Sequence, residues 1–175
     1  SLNDIYKTLE ERGRVLGCPD QAVAVRGQMR DRLGAINRAV EGRARPRVLM
    51  TIARNADSVT SVMVGARGTF VDDMITAAGG QNVFGDLSAA YPSVSQEAIL
   101  VARPEIVIEA MPEVRPTPEL EAKIKKQWRE LGPLPAVQQN RIYLLCDENA
   151  TIPSPRIVEV IAKLARLFHP EAKFD

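Results

Sequence analysis

The sequence has very little histidine and cysteine, the residues that most often build metal sites and nucleophilic centres. Its 175 residues contain one histidine, His169, close to the C-terminus. A single imidazole excludes multi-histidine metal sites, His-Glu-x-x-His hydrolases and most arrangements that place a histidine base beside a nucleophile. The two cysteines, Cys18 and Cys146, form no Cys-x-x-Cys spacing, so neither a zinc ribbon nor a disulfide framework is indicated. We therefore predict no metal site and no cofactor, and a chain that folds without metal.

An excess of charge of one sign and long apolar runs are also missing. The 23 lysines and arginines balance 22 aspartates and glutamates and leave a net charge of +1, so charge favours neither nucleic acid nor an anionic membrane as a partner. The apolar runs are far shorter than the roughly eighteen residues needed to cross a bilayer. The remaining composition, 45% hydrophobic and 26% charged, is typical of one globular domain.

Two amphipathic helices are predicted at the start of the chain. Apolar residues at steps of three and four indicate a first helix within residues 1–17, for which Asn3 is the candidate cap. A second helix, within residues 18–45, is about 33 Å long at 1.5 Å per residue. Its apolar stripe consists of Val25, Met29, Leu33, Ile36 and Val40. So long a helix has little before it to pack on, which suggests that an N-terminal part is missing and that the exposed stripe favours self-association.

Residues 46–175 alternate short apolar strands with amphipathic helices. This order predicts an α/β fold with a mostly parallel sheet flanked by helices and preceded by the long helix. The strand candidates are Val48–Ile52, Val59–Val64, Ile106–Ala110 and Ile142–Leu145. Gly79 and Gly80 follow a predicted helix, so we interpret them as its C-terminal cap and not as a phosphate loop.

Two loops contain candidate functional residues. The segment Gly65–Thr69 follows a strand candidate and precedes a helix, the position at which open α/β sheets usually hold ligands. Thr69 can cap the helix and Arg67 can meet an anionic ligand, although a tight turn with an exposed arginine explains the segment equally well. With Asp147 or Glu148 as acid or base, these residues would support an alternative function, a small α/β enzyme acting on an anionic substrate.

A third hypothesis, nucleic-acid binding, depends on the arginines between Arg26 and Arg47, but no recognised reader motif accompanies them. Farther along the chain, Ser93 and Gln96 have the spacing of a capping box, which places Glu97 in the first turn of a helix. The helix dipole favours a carboxylate there without any partner.

Five segments in order resemble one family. They are Gly68–Phe70, Ala78–Val83, Tyr91–Leu100, Arg103–Ile108 and Pro153–Ile157. They resemble the C-terminal lobe of the helical-backbone, or class III, periplasmic substrate-binding proteins of ABC importers, which carry cobalamin, haem or iron-siderophores. The resemblance implies two α/β lobes joined by one long helix, with the ligand between them. This chain would supply the linking helix in 18–45 and the C-terminal lobe in 46–175, and would lack the N-terminal lobe.

The resemblance also implies a non-enzymatic function and a set of site residues. The protein would capture a metal chelate or corrinoid in the periplasm or outside the cell, free or lipid-anchored, and deliver it to a permease. Tyr91 matches a position whose aromatic ring touches the ligand, and Arg67, Phe70 and Asn149 lie on loops expected at the same rim. Glu97 matches the acidic residue with which this lobe docks to arginines of the permease.

Overall fold

Seven helices and six strands form the fold in the computed structural model, which describes residues 1–174. The helices are α1 (Leu2–Val15), α2 (Pro19–Val40), α3 (Phe70–Ala77), α4 (Gln96–Ala102), α5 (Pro118–Leu131), α6 (Pro135–Gln138) and α7 (Ile157–Phe168). The strands are β1 (Arg47–Arg54), β2 (Ser61–Val64), β3 (Gln81–Asn82), β4 (Ser93–Ser95), β5 (Ile106–Ala110) and β6 (Ile142–Leu145). A short 3-10 helix covers Glu148–Ala150. None of the helices in residues 1–174 is long and apolar enough to cross a membrane.

The strands form one mixed sheet in the order β4-β2-β1-β5-β6, with β3 paired to the beginning of β1. The β1–β5 and β5–β6 pairs are parallel, as predicted, and the β1–β3 pair is also parallel. The β1–β2 and β2–β4 pairs are antiparallel. For β1 and β2 the reason is the length of the connection, because residues 55–60 are far fewer than the dozen or so that a parallel crossover requires.

The sheet separates two apolar layers because successive residues of a strand point to opposite faces. One face is covered by α1, α2, α3 and α7, and its strand residues include Val48, Met50, Ile106 and Ile108. The other face is covered by α4, α5 and α6, and its strand residues include Leu49, Val62, Val107 and Ile142. The sheet is therefore covered by helices on both sides, which is the predicted α/β architecture.

Helix caps correct two details of the sequence analysis. The cap of α1 is Ser1 and not Asn3, which lies inside the helix. The capping box from Ser93 was also wrong, because Ser93 lies in β4 and Ser95 caps α4. Glu97 nevertheless lies in the first turn of α4, as predicted.

The apolar face of the long helix α2 packs against the rest of the lobe. Of its apolar stripe, Met29, Ile36 and Val40 are buried in the same core cluster as α3 and α7, and Val25 and Leu33 are partly buried against it. The expectation that this face is left exposed was therefore wrong. The large apolar side chains still exposed at this end are Val15, Leu16 and Val23. Self-association stays a prediction.

Candidate functional site

A carboxylate is buried inside the central part of the sheet, near the carboxyl ends of β1 and β5. The side chain of Glu109 is 3% exposed and that of Arg54 is 5% exposed. Glu109 Oε1 accepts hydrogen bonds from Arg54 Nε at 2.7 Å and from Trp128 Nε1 at 2.5 Å. Its Oε2 accepts one from Thr51 Oγ1 at 2.9 Å. Because a buried carboxylate without partners would be strongly destabilising, these three donors are what allow Glu109 to lie here.

The other nitrogens of Arg54 hold the turn between β1 and β2. Arg54 Nη1 donates to the carbonyl oxygens of Asn55 at 2.8 Å and Ser58 at 3.2 Å. Arg54 Nη2 donates to Gln127 Oε1 at 2.8 Å, and Gln127 Nε2 donates to the carbonyl oxygen of Ala56 at 2.9 Å. Two side chains therefore bind three backbone carbonyls of one turn, and both are oriented by contacts inside the fold.

A cavity of about 350 Å³ opens beside this network. Its apolar wall comprises Ala53, Met111, Pro112, Val114, Leu120 and Ile124. Arg54 and Glu109 form part of its polar lining. Ligands of open α/β sheets bind outside the carboxyl ends of the parallel strands, which is where this cavity lies. The cavity is therefore a candidate ligand surface.

Sequence reasoning missed this network, although the sequence contains one signal for it. Glu109 is a charged residue within Ile106–Ala110, otherwise the apolar run of a buried parallel strand. A carboxylate at such a position requires a cation and donors from elsewhere in the fold. Arg54 and Trp128 provide them in the structure. The sequence does not identify these two residues, because their positions depend on the pairing of β1 with β5 and on the packing of α5.

The loop Gly65–Thr69 lies elsewhere, because β2 runs opposite to β1. Val64 pairs with Thr51 in the middle of β1, so the chain leaves β2 away from the carboxyl ends of β1 and β5. Arg67 is exposed and forms an ion pair with Asp86. The expectation that this loop lies with the ligand-binding ends of a parallel sheet was wrong for that reason.

Thr69 caps α3, as predicted. Its hydroxyl donates to the carbonyl oxygen of Ala66 at 2.7 Å and accepts from the backbone nitrogen of Asp72 at 3.3 Å. Both bonds are local to the loop and the helix, and the side chain is buried. This geometry gives Thr69 a structural role at the start of α3.

Three of the four predicted ligand residues lie on neighbouring segments, and the fourth does not. Arg67 and Phe70 flank the cap of α3, and the Ala66 nitrogen donates to the Ala90 carbonyl at 2.8 Å, beside Tyr91. Tyr91 is 46% exposed. Asn149 follows β6, which lies at the opposite edge of the sheet from β4. Four interstrand spacings separate these two strands, a distance of about 19 Å. The ligand roles of these residues stay predictions.

Asp147, beside Asn149, is held by a structural ion pair. Lys163 donates to its carboxylate, and the Asn149 backbone and side-chain nitrogens each donate to its Oδ1 at 3.0 Å. The hydrogen bond from Lys163, followed by those from Asn149, lowers the pKa of Asp147, whereas burial opposes the shift. A carboxyl group with a lowered pKa is a poor general acid near neutral pH. The arrangement does not bring Asp147 together with Arg67.

The arginines considered for nucleic-acid binding are largely engaged within the fold. Their ion pairs are Arg26–Glu10, Arg32–Glu159 and Arg43–Glu171. Arg45 donates to the Gly80 carbonyl, and Arg47 donates to the Ala102 carbonyl. In residues 1–174, no group of three or more histidine, cysteine, aspartate and glutamate side chains could hold a metal ion.

The comparison of this sequence with known families decides the class of protein. Residues 2–148 match the family described as periplasmic binding protein. The chain belongs to the periplasmic binding protein family. A protein described as the cobalamin-binding protein of Halobacterium salinarum is 29% identical over 173 residues, which is 97% of this chain and 45% of that protein. The vitamin B12-binding protein of Salmonella choleraesuis is 27% identical over 158 residues, covering 90% of this chain and 53% of that protein.

Solved periplasmic binding proteins share the fold. A periplasmic haem-binding protein from Pseudomonas aeruginosa superimposes with a TM-score of 0.79 at 27% identity, covering 99% of this chain and 62% of the other. The chain spans about half the length of the curated relatives it matches. Those relatives are binding proteins by description, and the fold is that of one lobe of such a periplasmic binding protein.

In this periplasmic binding protein lobe, Glu97 is an exposed carboxylate on α4. A hydrogen bond from Ser95, and then one from its own backbone nitrogen, lowers the pKa of Glu97, which keeps it charged. Leu100 and Val101 lie three and four residues after Glu97, on the same side of α4, and Val101 is 82% exposed. Within residues 1–174, Glu97 forms no ion pair with a basic side chain.

Proposed function

We propose that this chain is the C-terminal lobe and linking helix of the solute-binding component of an ABC importer. The component captures a corrinoid or a metal chelate, such as haem or an iron-siderophore, in the periplasm or outside the cell and delivers it to a permease. The observation that supports this most is the similarity to cobalamin-binding relatives over 97% of the chain. The relatives are about twice as long, so the ligand would lie between this lobe and a second one.

The ligand surface of this lobe would include the exposed ring of Tyr91, with Arg67 and Phe70 on the neighbouring loop, and Asn149 at the far side of the sheet. Tight small-molecule sites bury about 70 to 90% of the ligand. One lobe supplies only one wall. We therefore expect the isolated chain to bind weakly, because much of the ligand would stay in water.

A titration tests this proposal. Cyanocobalamin, haemin and a ferric hydroxamate are added separately to the 175-residue chain and to a longer protein that contains both lobes. We expect one of the three to bind the longer protein tightly and the isolated chain at least tenfold more weakly. Equal tight affinity for both would show that a second wall is not needed. No binding of any probe to the longer protein would overturn the proposed ligand class.

Glu97 is proposed as the docking residue for the permease. Its exposed carboxylate can meet an arginine of a partner in a charge-assisted hydrogen bond. We expect Glu97→Ala in the longer protein to leave the melting temperature and the affinity for the solute unchanged while weakening binding to the permease. The measurement is co-purification or surface binding of the variant with its permease.

A matched control is Glu119→Ala. Glu119 is also an exposed carboxylate in the first turn of a helix, and hydrogen bonds from its own backbone nitrogen and then Thr117 lower its pKa in the same way. It lies at the start of α5, a different helix from the one that holds Glu97. Equal loss of permease binding in both variants would indicate a general charge effect. Unchanged permease binding by Glu97→Ala would refute the docking role.

A further inference from the structure

We propose that Glu109 is a positioning residue for the 350 Å³ cavity, the candidate ligand surface at the carboxyl ends of β1 and β5. By orienting Arg54, it fixes the turn at residues 55–60, of which Ala56 lines this cavity, so that this part of the wall is formed before a ligand arrives. The inference rests on the proposed function. It assigns a role to a buried group that none of the predicted ligand or docking residues touches.

Stability alone does not account for this network. A buried ion pair can often be replaced by apolar residues of similar volume without loss of stability, because desolvation of the two charges offsets their attraction. Such a replacement would not, however, bind the carbonyl oxygens of Asn55 and Ser58, as the Arg54 guanidinium does. The distinguishing property of the charged pair is therefore control over the turn.

The geometry makes that control depend on one carboxylate. Arg54 Nε and Trp128 Nε1 both donate to Glu109 Oε1, so the guanidinium is linked through one carboxylate oxygen to a fully buried indole. Its two terminal nitrogens donate to the turn and to Gln127. A binding surface held in its bound conformation loses less conformational freedom when the ligand binds.

Trp128 provides a spectroscopic signal for this arrangement. It is the one tryptophan of the sequence, and its indole nitrogen shares the Glu109 oxygen with Arg54. A change in the charge or position of the Glu109 side chain should therefore shift the emission of the protein. An exposed carboxylate elsewhere should not.

The first experiment is amide hydrogen exchange of the turn in the 175-residue chain. Glu109→Gln keeps an acceptor oxygen but removes the charge that orients Arg54. We expect amide exchange within residues 55–58 to accelerate at least tenfold and the Trp128 emission to shift. Glu113→Gln is the control, because Glu113 is an exposed carboxylate at the same cavity. Unchanged exchange in Glu109→Gln, or an equal change in Glu113→Gln, would overturn the proposal.

A double variant separates positioning from stability. Arg54→Met with Glu109→Gln leaves no unpaired charge, and the glutamine oxygen can still accept from Trp128 Nε1, so we expect a melting temperature close to that of the original protein. The turn should still exchange rapidly, because no guanidinium binds its carbonyls. Slow exchange in this variant would show that the network is only structural. If Glu109→Gln alone does not fold, the double variant and Gln127→Ala, which removes the link to Ala56, provide the same comparison.

The second experiment uses the longer protein and the probe among cyanocobalamin, haemin and ferric hydroxamate that it binds. We expect the double variant to bind that probe at least tenfold more weakly at an unchanged melting temperature, and to retain permease binding. Unchanged affinity with a loosened turn would refute the positioning role. If no probe binds the original longer protein, the proposed ligand class fails, and hydrogen exchange still decides whether Glu109 fixes the turn.

Discussion

The hydroxyl group of Thr69 should account for a measurable share of the stability of the lobe. In Thr69→Val the side chain keeps its shape and loses the hydroxyl, so the backbone nitrogen of Asp72 loses its cap and the bond to the Ala66 carbonyl disappears. Loss of an N-cap typically costs about 1 kcal/mol. Loss of the second hydrogen bond costs about another 1 kcal/mol. The Ala66 carbonyl still accepts from the Thr69 backbone nitrogen at 3.2 Å, so it is not left unpaired.

The expected total is therefore about 2 kcal/mol, which for a domain of this size corresponds to a fall in melting temperature of about 4 to 8 °C. Thr69→Ser is the matched control, because it retains the hydroxyl and loses only a methyl group worth less than about 1 kcal/mol. Circular dichroism melts of the three proteins give the comparison. If Thr69→Ser and Thr69→Val melt at the same temperature, the hydroxyl group does not stabilise the lobe, which would refute the prediction.

Three further predictions concern backbone strain, pH and metal. Gly79→Ala should lower the free energy of unfolding, measured by chemical denaturation, more than Gly42→Ala does. Both glycines have positive φ, but a Cβ at Gly79 would lie 2.6 Å from His169 Nε2, whereas a Cβ at Gly42 would meet no atom within 4 Å. Because the folded-state pKa of Asp147 is lowered, its contribution is present above the unfolded pKa of about 3.9 and is lost as the pH falls through the folded value. The difference in melting temperature between the protein and Asp147→Asn should therefore shrink below about pH 4. A chelator should leave the melting curve unchanged, and a large fall in melting temperature would contradict metal-free folding.

The predictability of the fold depended on the length of each element. The strands Ile106–Ala110 and Ile142–Leu145 were predicted with their observed bounds, because each is a short apolar run bounded by polar or loop residues. Gln81–Asn82 and Ser93–Ser95 were missed, since two or three residues are too few to show an alternating pattern. Their strand conformation is set by pairing with β1 and β2, which is a property of the tertiary fold.

The candidate site was less predictable than the fold, for a related reason. Sequence motifs indicated Arg67, Tyr91 and Glu97, all of which lie on exposed local segments. The contacts of Glu109 with Arg54 and Trp128 join residues that are far apart in the sequence and cannot be recognised from spacing. The antiparallel direction of β2 also changed which loops share an edge of the sheet. That direction can be predicted only by noting that the six residues between β1 and β2 are too few for a parallel crossover.

The central position of β1 has a consequence for how the chain folds. Its pairing with β2 needs only a short loop to close, whereas Thr51 and Glu109, which pair across β1 and β5, are 58 positions apart. Local contacts generally form before distant ones, because closing a longer loop costs more entropy. We therefore expect a hairpin of β1 and β2 to form first, with the other edge of β1 unpaired and its apolar side chains uncovered until β5 arrives. Unpaired apolar strand edges are templates for aggregation, so refolding is most vulnerable during this interval.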